Sequence, residues 1–293
     1  MTLPTVHVVG NAVLDEAFRL DALPAPGASV LAVAAGRGLG GKGVNVAVAV
    51  ARAGLPTRLV AAVGRDAAGA KLCALLAAEG LGGLREVDAP TDRSLILIDA
   101  GGENAVVTTN AAALRLGPGD VAEALASARP GDLVALQLNL SPEATLAALR
   151  AARAAGCRTA LNPSPLRAAP WAAIWQLVDV AFLNAGEAEA LGAAELRAAG
   201  VGRVVVTLGA RGATMLGPEG EARVAAEPAV AVDPTGAGDA FMAVALASAL
   251  RRGTDVDARA LAHGARAAAF VVARPGAAAA LPSRAEMAAI LTA

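Results

Sequence analysis

Short β-branched runs alternate with long alanine- and leucine-rich segments along this chain, and no other feature restricts its fold so strongly. TVHVVG (5–10), TRLVAAVG (57–64), DLVALQL (132–138), TALNPS (159–164), DVAFLN (179–184) and GRVVVTLG (202–209) have the length and composition of buried strands. Segments 43–54, 67–80, 142–156, 186–191, 236–253 and 257–276 read as helices. Gly54, Gly80, Gly156 and Gly253 stand where helices stop, Pro142 sits in a first turn, and Arg251 and Arg252 close a last one. Repeated β-then-α units predict an α/β fold in three layers, a mainly parallel sheet with helices on both faces. Two stretches break the rhythm. ASVLAVAAGR (28–37) and RSLILIDAGGENAVVTTN (93–110) read as antiparallel strands without helices, the second with a hairpin signal at DAGGEN. They predict a small β-sheet lid, built from about residues 12–36 and 90–110, on a single domain spanning 1–293.

Composition narrows the function classes. A chain of 293 residues buries its own core without staples. Hydrophobic residues make up 56%, largely Ala and Val, yet no run of about 18 strongly apolar residues is free of charge, Gly or Pro, so no membrane partner is expected. The start, MTLPTVHVVGNA, lacks the basic region and apolar core of a secretion signal, which predicts a cytoplasmic chain. A net charge of −1 without a basic block argues against a nucleic-acid partner. Cys73 and Cys157 read as small buried thiols in helical contexts, and no Cys/His cluster has zinc spacing.

The stretch GRGLGGKGVNVAVAVARAGL (36–55) imitates two nucleotide motifs. Gly36, Gly38 and Gly41 satisfy G-x-G-x-x-G; Gly36, Gly41 and Lys42 satisfy G-x-x-x-x-G-K. Both fail on context. Gly43 stands where a P-loop needs a hydroxyl, the preceding strand belongs to the lid, and the next acid, Asp66, is too distant for a dinucleotide fold. What remains is a glycine turn at Gly40–Gly41 that lets backbone approach a ligand, with Lys42 and Asn45 at a helix start, suited to a hydroxyl-rich molecule. A plain helix start, Lys42 solvated and Asn45 capping, fits the residues equally well.

DPTGAGDAFMAVAL (233–246) is more specific. Gly236, Ala237 and Gly238 place backbone N–H groups at the start of an apolar helix, an anion site made of amides and the helix dipole. Asp239 in the same turn can take a hydroxyl proton while the amides take developing charge. In TLGARG (207–212), Thr207 and Gly209 line either a nucleotide pocket or a tight turn. In NAGE, Asn184 and Glu187 at a strand's C-terminal end either orient a hydrated Mg²⁺ or form an N-cap with a first-turn acid.

Together these residues resemble the ribokinase-like (PfkB) family of sugar and nucleoside kinases, in order along nearly the whole chain. GGKGVN (40–45) resembles the family's first signature, DPTGAGDAFMAVAL its second, NAGE its N-x-x-E element, TLGARG its nucleotide turn, and ARPGAAAALP (273–282) its C-terminal loop. The resemblance implies the ribokinase-like fold and ATP-dependent phosphorylation of a primary hydroxyl. It implies that Asp239 is the base and that the amides of 236–239 are the anion hole. Glu187 and Asn184 would hold Mg²⁺, mostly through water, and phosphate. Asn184, Thr207, Gly209, Gly212, Gly238 and His263 would lie near the nucleotide. Asp15, Gly41, Lys42 and Asn45, with Asn11 and Asn139, would hold the acceptor. Asp233 and carbonyls around Thr235, Val271, Arg274 and Gly276 would hold K⁺. The lid would also make a homodimer contact. Val13 and Asn139 stand where ribokinases carry Asn and Glu, which removes partners for sugar hydroxyls. GNAVLD (10–15) is similar instead to the family's nucleoside kinases, and Arg37, Lys42 and Arg93 would be the cations available to a sugar phosphate. A sugar kinase is therefore expected first, then a nucleoside or sugar-phosphate kinase, then a non-catalytic sensor, and last an NAD-dependent dehydrogenase.

Overall fold

The computed structural model describes residues 3–101, 103–167 and 171–292. In chain order its strands are β1 (Val6–Val9), β2 (Val13–Arg19), β3 (Val33–Gly40), β4 (Thr57–Val60), β5 (Ala62–Gly64), β6 (Arg85–Val87), β7 (Arg93–Ile98), β8 (Asn104–Thr108), β9 (Leu133–Gln137), β10 (Arg158–Asn162), β11 (Val180–Asn184), β12 (Arg203–Thr207), β13 (Ala213–Gly217) and β14 (Gly220–Val224). The α-helices are α1 (Lys42–Arg52), α2 (Ala67–Ala78), α3 (Pro118–Leu125), α4 (Pro142–Ala154), α5 (Ala185–Leu191), α6 (Ala193–Ala198), α7 (Ala237–Arg252), α8 (Ala258–Val272) and α9 (Arg284–Thr292).

The main sheet runs β14-β13-β12-β11-β10-β9-β1-β4, parallel from β4 to β12 and finished by an antiparallel hairpin, β13–β14. Every residue of β1 and β9 is buried, as a sheet covered on both faces requires. One face packs Val44 and Val48 of α1, Leu72 of α2, Ala243 and Leu246 of α7 and Leu261 of α8 into a single core. The other packs Val121 of α3, Leu149 of α4 and Leu196 of α6 with Trp171 and Trp175. This is the predicted three-layer α/β architecture.

The lid is a separate sheet in the order β3-β2-β7-β8. Its outer pairs are antiparallel as expected, but β2 and β7 run parallel. Gly102, within the expected hairpin turn, lies outside the described residues. Three expectations need correction. Strand 28–37 begins only at Val33 and runs on to Gly40, because β2 pairs with it from Arg19↔Val33 to Val13↔Gly40; the supposed glycine turn is mostly strand, and only Gly41 turns. Segment 57–64 is two strands: past Ala61 the chain leaves β1 and pairs β5 with β6. Cys73 is exposed on α2, and Cys157 is buried beyond the end of α4.

Candidate active site

The C-terminal edge of the parallel strands carries the polar residues that the sequence singled out, as open α/β sheets arrange their ligand sites. A cavity of 620 Å³ there is lined by Lys42, Asn162, Asn184, Glu187, Thr207, Gly236, Gly238 and Asp239, among others. It adjoins a second cavity of 570 Å³, walled by Ala226, Pro228, Phe241, Ala268 and Val272, with Thr207, Gly209, Pro234 and Gly238 common to both. The first cavity carries most of the charged and polar side chains, the second is walled chiefly by alanine and proline, and the tip of α7 borders both.

That tip is set by Gly236, which is left-handed (φ 82°, ψ −5°), a conformation open to glycine at little cost. The turn leaves the amides of Gly236, Gly238 and Asp239 without a backbone partner among the described residues. Ala237 departs from the expected anion hole: its N–H already donates to Pro234 O at 3.2 Å. Asp239 is 5% exposed, yet it lies on the cavity wall. Asn45 Nδ2 donates to its Oδ2 at 2.8 Å, and Lys42 Nζ lies 3.7 Å from its Oδ1. Asn45 therefore caps nothing; one turn into α1, it orients the carboxylate.

Of the expected acceptor residues, Lys42 lines this cavity and Asn45 reaches Asp239, while Asp15, Gly41, Asn11 and Asn139 do not line it. A Cβ on Gly40 would collide with the Asp15 carboxylate, and one on Gly41 would press on Asn11 O and Val13 Cγ2 at 3.0 Å. Asn11 is beside them, but its Oδ1 accepts from Gly43 N at 3.2 Å, so it fixes the start of α1. Val13 is wholly buried. Asn139 follows β9 with its Oδ1 buried and unpartnered, and Arg167 Nη2 holds the carbonyls on either side of it at 2.9 and 2.7 Å.

On the nucleotide side, Asn184 and Glu187 form a reciprocal capping box: Glu187 N donates to Asn184 Oδ1 at 2.8 Å and Asn184 N to Glu187 Oε2 at 3.0 Å. Both also line the polar cavity, so the two readings of NAGE are compatible. Thr207 and Gly209 line both cavities, and Gly212 the apolar one. His263 does not line either. It is 2% exposed, and its Nδ1 meets Ser248 Oγ at 2.8 Å in the α7–α8 interface. Ala265, Ala268, Ala269 and Val272 follow helical spacing along the cavity-facing stripe of α8, and His263 falls off that stripe. At the far side of the α7 tip, Asp233 accepts from Thr235 N at 2.9 Å and Gly276 N at 3.0 Å. Val271 O accepts from Arg274 N at 3.0 Å, and Arg274 pairs with Glu286. The carbonyls of Thr235, Arg274 and Gly276 have no partner among the described residues.

Residues 4–284 match the family described as pfkB family carbohydrate kinase. The chain belongs to that family. A pfkB carbohydrate kinase is a phosphotransferase that uses ATP and an alcohol acceptor. A bifunctional ribokinase/ribose-5-phosphate isomerase A from Fructilactobacillus sanfranciscensis is 27% identical over 95% of this chain, which spans 54% of that protein's length. The crystal structure of ribokinase from Thermotoga maritima superimposes with a TM-score of 0.89 at 27% identity, covering 99% of this chain and 100% of that one. Ribokinase from Arabidopsis thaliana complexed with ribose and ATP gives 0.87 at 25%, covering both chains completely.

The pfkB chain has residues that sequence reasoning did not single out. Asn162, at the end of β10, lines the polar cavity and donates to Phe182 O at 2.8 Å; in the sequence it is simply part of the strand TALNPS. Gln137 is fully buried against Gly10, with both amide atoms unpartnered. Only packing reveals it.

Asp15 supplies a pH test. Burial pushes its carboxyl up to about 6, against a hydrogen bond with Ser94 that pulls it down. The fold holds that proton more tightly than the unfolded chain does. Its contribution to stability is present below the ordinary value and is lost as pH rises through about 6. Acceptor binding should run the opposite way, since hydroxyl donors need the ionised carboxylate. Below pH 6 the KM for the acceptor should rise about tenfold per pH unit at saturating ATP, and D15N should flatten the profile. A wild-type KM independent of pH would remove Asp15 from the acceptor site.

Proposed function

We propose that this chain transfers the γ-phosphoryl group of Mg·ATP to a primary hydroxyl of a small, uncharged sugar. Asp239 takes the hydroxyl proton, the acceptor oxygen bonds to the γ-phosphorus, and the bond from that phosphorus to the β-bridging oxygen breaks, leaving its electrons on ADP. The amides of Gly236, Gly238 and Asp239 stabilise the charge that develops on the transferring group. The observation that carries the reading is the meeting, at the tip of α7, of bare amides, a carboxylate and the Lys42–Asn45 pair. The apolar cavity suits an adenine ring, and the polar one the triphosphate. The ATP complex of the Arabidopsis ribokinase supports ATP as the donor.

Glu187, with one oxygen used by its capping box, suits a Mg²⁺ that keeps several waters and phosphate oxygens. When bound, that ion would neutralise charge between the β- and γ-phosphates. K⁺ enters the reading through the free carbonyls of Thr235, Arg274 and Gly276 beside Asp233, with Val271 O already shared.

An uncharged acceptor is favoured because the two lid arginines are engaged: Glu16 lies 2.8 Å from Arg37 Nε and 3.8 Å from Arg93 Nη1. None of Asn11, Asp15, Lys42, Asn45 and Asn139 offers an aromatic platform for a base. The reading also includes a homodimer through the lid, whose Leu31, Val33 and Val107 are 97%, 72% and 65% exposed, and a cytoplasmic location, where ATP is supplied. The test is an acceptor panel with ATP and Mg²⁺: ribose, other pentoses, hexoses, a hexose phosphate, adenosine and pseudouridine. Turnover on a free sugar is expected. Silence across the panel would end the kinase reading, and turnover on a nucleoside or sugar phosphate alone would move the acceptor class.

A further inference from the structure

The opposite, N-terminal edge of the sheet holds a cavity of 730 Å³ that the phosphoryl-transfer chemistry does not use. It lies below the starts of β1, β4, β9 and β10 and beside the C-terminal end of α7. Arg58, Arg129, Arg158, Arg251 and Arg252 line it, and Asp132 is the one acid on its wall. Such convergence in a chain of net charge −1 needs a cause.

Fold electrostatics account for part of it. Arg252 forks onto Asp257 with two bonds of 2.7 Å, and Arg158 has Asp255 at 3.7 Å. Arg251 and Arg252 also complement the negative end of α7. The rest is uncompensated. Arg251 reaches only the Ala53 carbonyl, at 3.1 Å, and Arg58 only Ser127 Oγ, at 2.6 Å. The Arg129 guanidinium has no hydrogen-bond or ion-pair partner among the described residues. Asp132 makes no ion pair with any of them; its carboxylate accepts from Thr5 N at 2.8 Å and Arg129 N at 3.0 Å and meets His7 Nε2 at 3.3 Å. His7, 1% exposed on the same wall, has its Nδ1 buried without a partner.

We propose that this cavity is a second, distal binding site for a small molecule carrying a phosphate group. Three exposed guanidiniums, from β4, the loop before β9 and the end of α7, none paired with an acid, line one cavity, where an anion among them would offset their like charge. The planar guanidinium fork matches phosphate oxygens in pairs. The volume exceeds that of bare phosphate and falls within the range of metabolite sites. A phosphomonoester, a nucleotide and inorganic phosphate share this chemistry.

Isothermal titration with inorganic phosphate, ribose 5-phosphate and ADP, each alone, separates these sources. At least one should show a saturable component that weakens by about tenfold or more in the double variant R58Q/R129Q, since each charged hydrogen bond lost is worth roughly a factor of ten. The exposed control R223Q, which loses only its pair with Glu221, should leave that component unchanged. Binding to the α7 tip instead would be the same in wild type and double variant. Identical titrations of those two proteins with all three probes, or no saturable binding into the millimolar range, would overturn the proposal. Thermal melts report whether the double variant folds; if it does not, R129Q alone carries the test, because that guanidinium has no partner to lose.

Discussion

Asp239→Asn should fold normally, bind ATP as the wild type does, and turn over about 10²–10⁴-fold more slowly. The amide matches the carboxylate in size, and its oxygen can still accept the Asn45 bond that now spans 2.8 Å, so the wall keeps its shape. The bare amides of the α7 tip are backbone and survive the change. What is lost is the carboxylate at the α7 tip, placed beside the bare amides to take a proton from an alcohol, so the loss falls on kcat. Steady-state rates against sugar, paired with a direct ATP titration, check this. A kcat within a few-fold of wild type would take the base role from Asp239, and loss of ATP binding would show instead that the residue shapes the nucleotide site.

Gly43→Ala should do damage of a different kind. An added Cβ would stand 2.6 Å from Asn11 O and 2.8 Å from Asn11 N. Both are backbone atoms, so no side chain can swing away. The start of α1 must separate from the β1–β2 turn, at a cost of roughly 1–3 kcal/mol, which for a chain of this length lowers Tm by about 2–5 °C. Lys42 precedes the strained residue and Asn45 follows it by two, so both contacts to Asp239 shift with the helix. The acceptor KM should rise well beyond what the melting loss explains. Calorimetry with steady-state kinetics checks both effects; an unchanged Tm would mean that the close approach of α1 to the turn is not part of the folded state in solution.

The layered fold was legible because buried parallel strands must be uniformly apolar and their helices must close with glycine, and this chain marks both plainly. The hairpin β13–β14 was not, since ATMLG and GEARV each hold a single β-branched residue, Thr214 and Val224, and so carry little strand signal. The break at Ala61 was hidden inside one apolar run. At the site, the helix-tip chemistry of Gly236 to Asp239 is local, so sequence could present it. That Lys42 and Asn45 would reach Asp239 has no local signal, and only the family resemblance hinted at it. The apolar cavity is built largely from alanine methyls and proline rings, which are chemically mute in a sequence. His263, which only the family resemblance put near the nucleotide, is a packed partner of Ser248.

The hydrogen bond from Asn45 to Asp239 joins residues 194 positions apart. A chain emerging from the ribosome therefore makes its lid and its first helix long before the carboxylate they orient exists. The site is complete only once α7 packs against both α1 and α8, so a chain that stops short of α7 has no carboxylate with which to spend ATP.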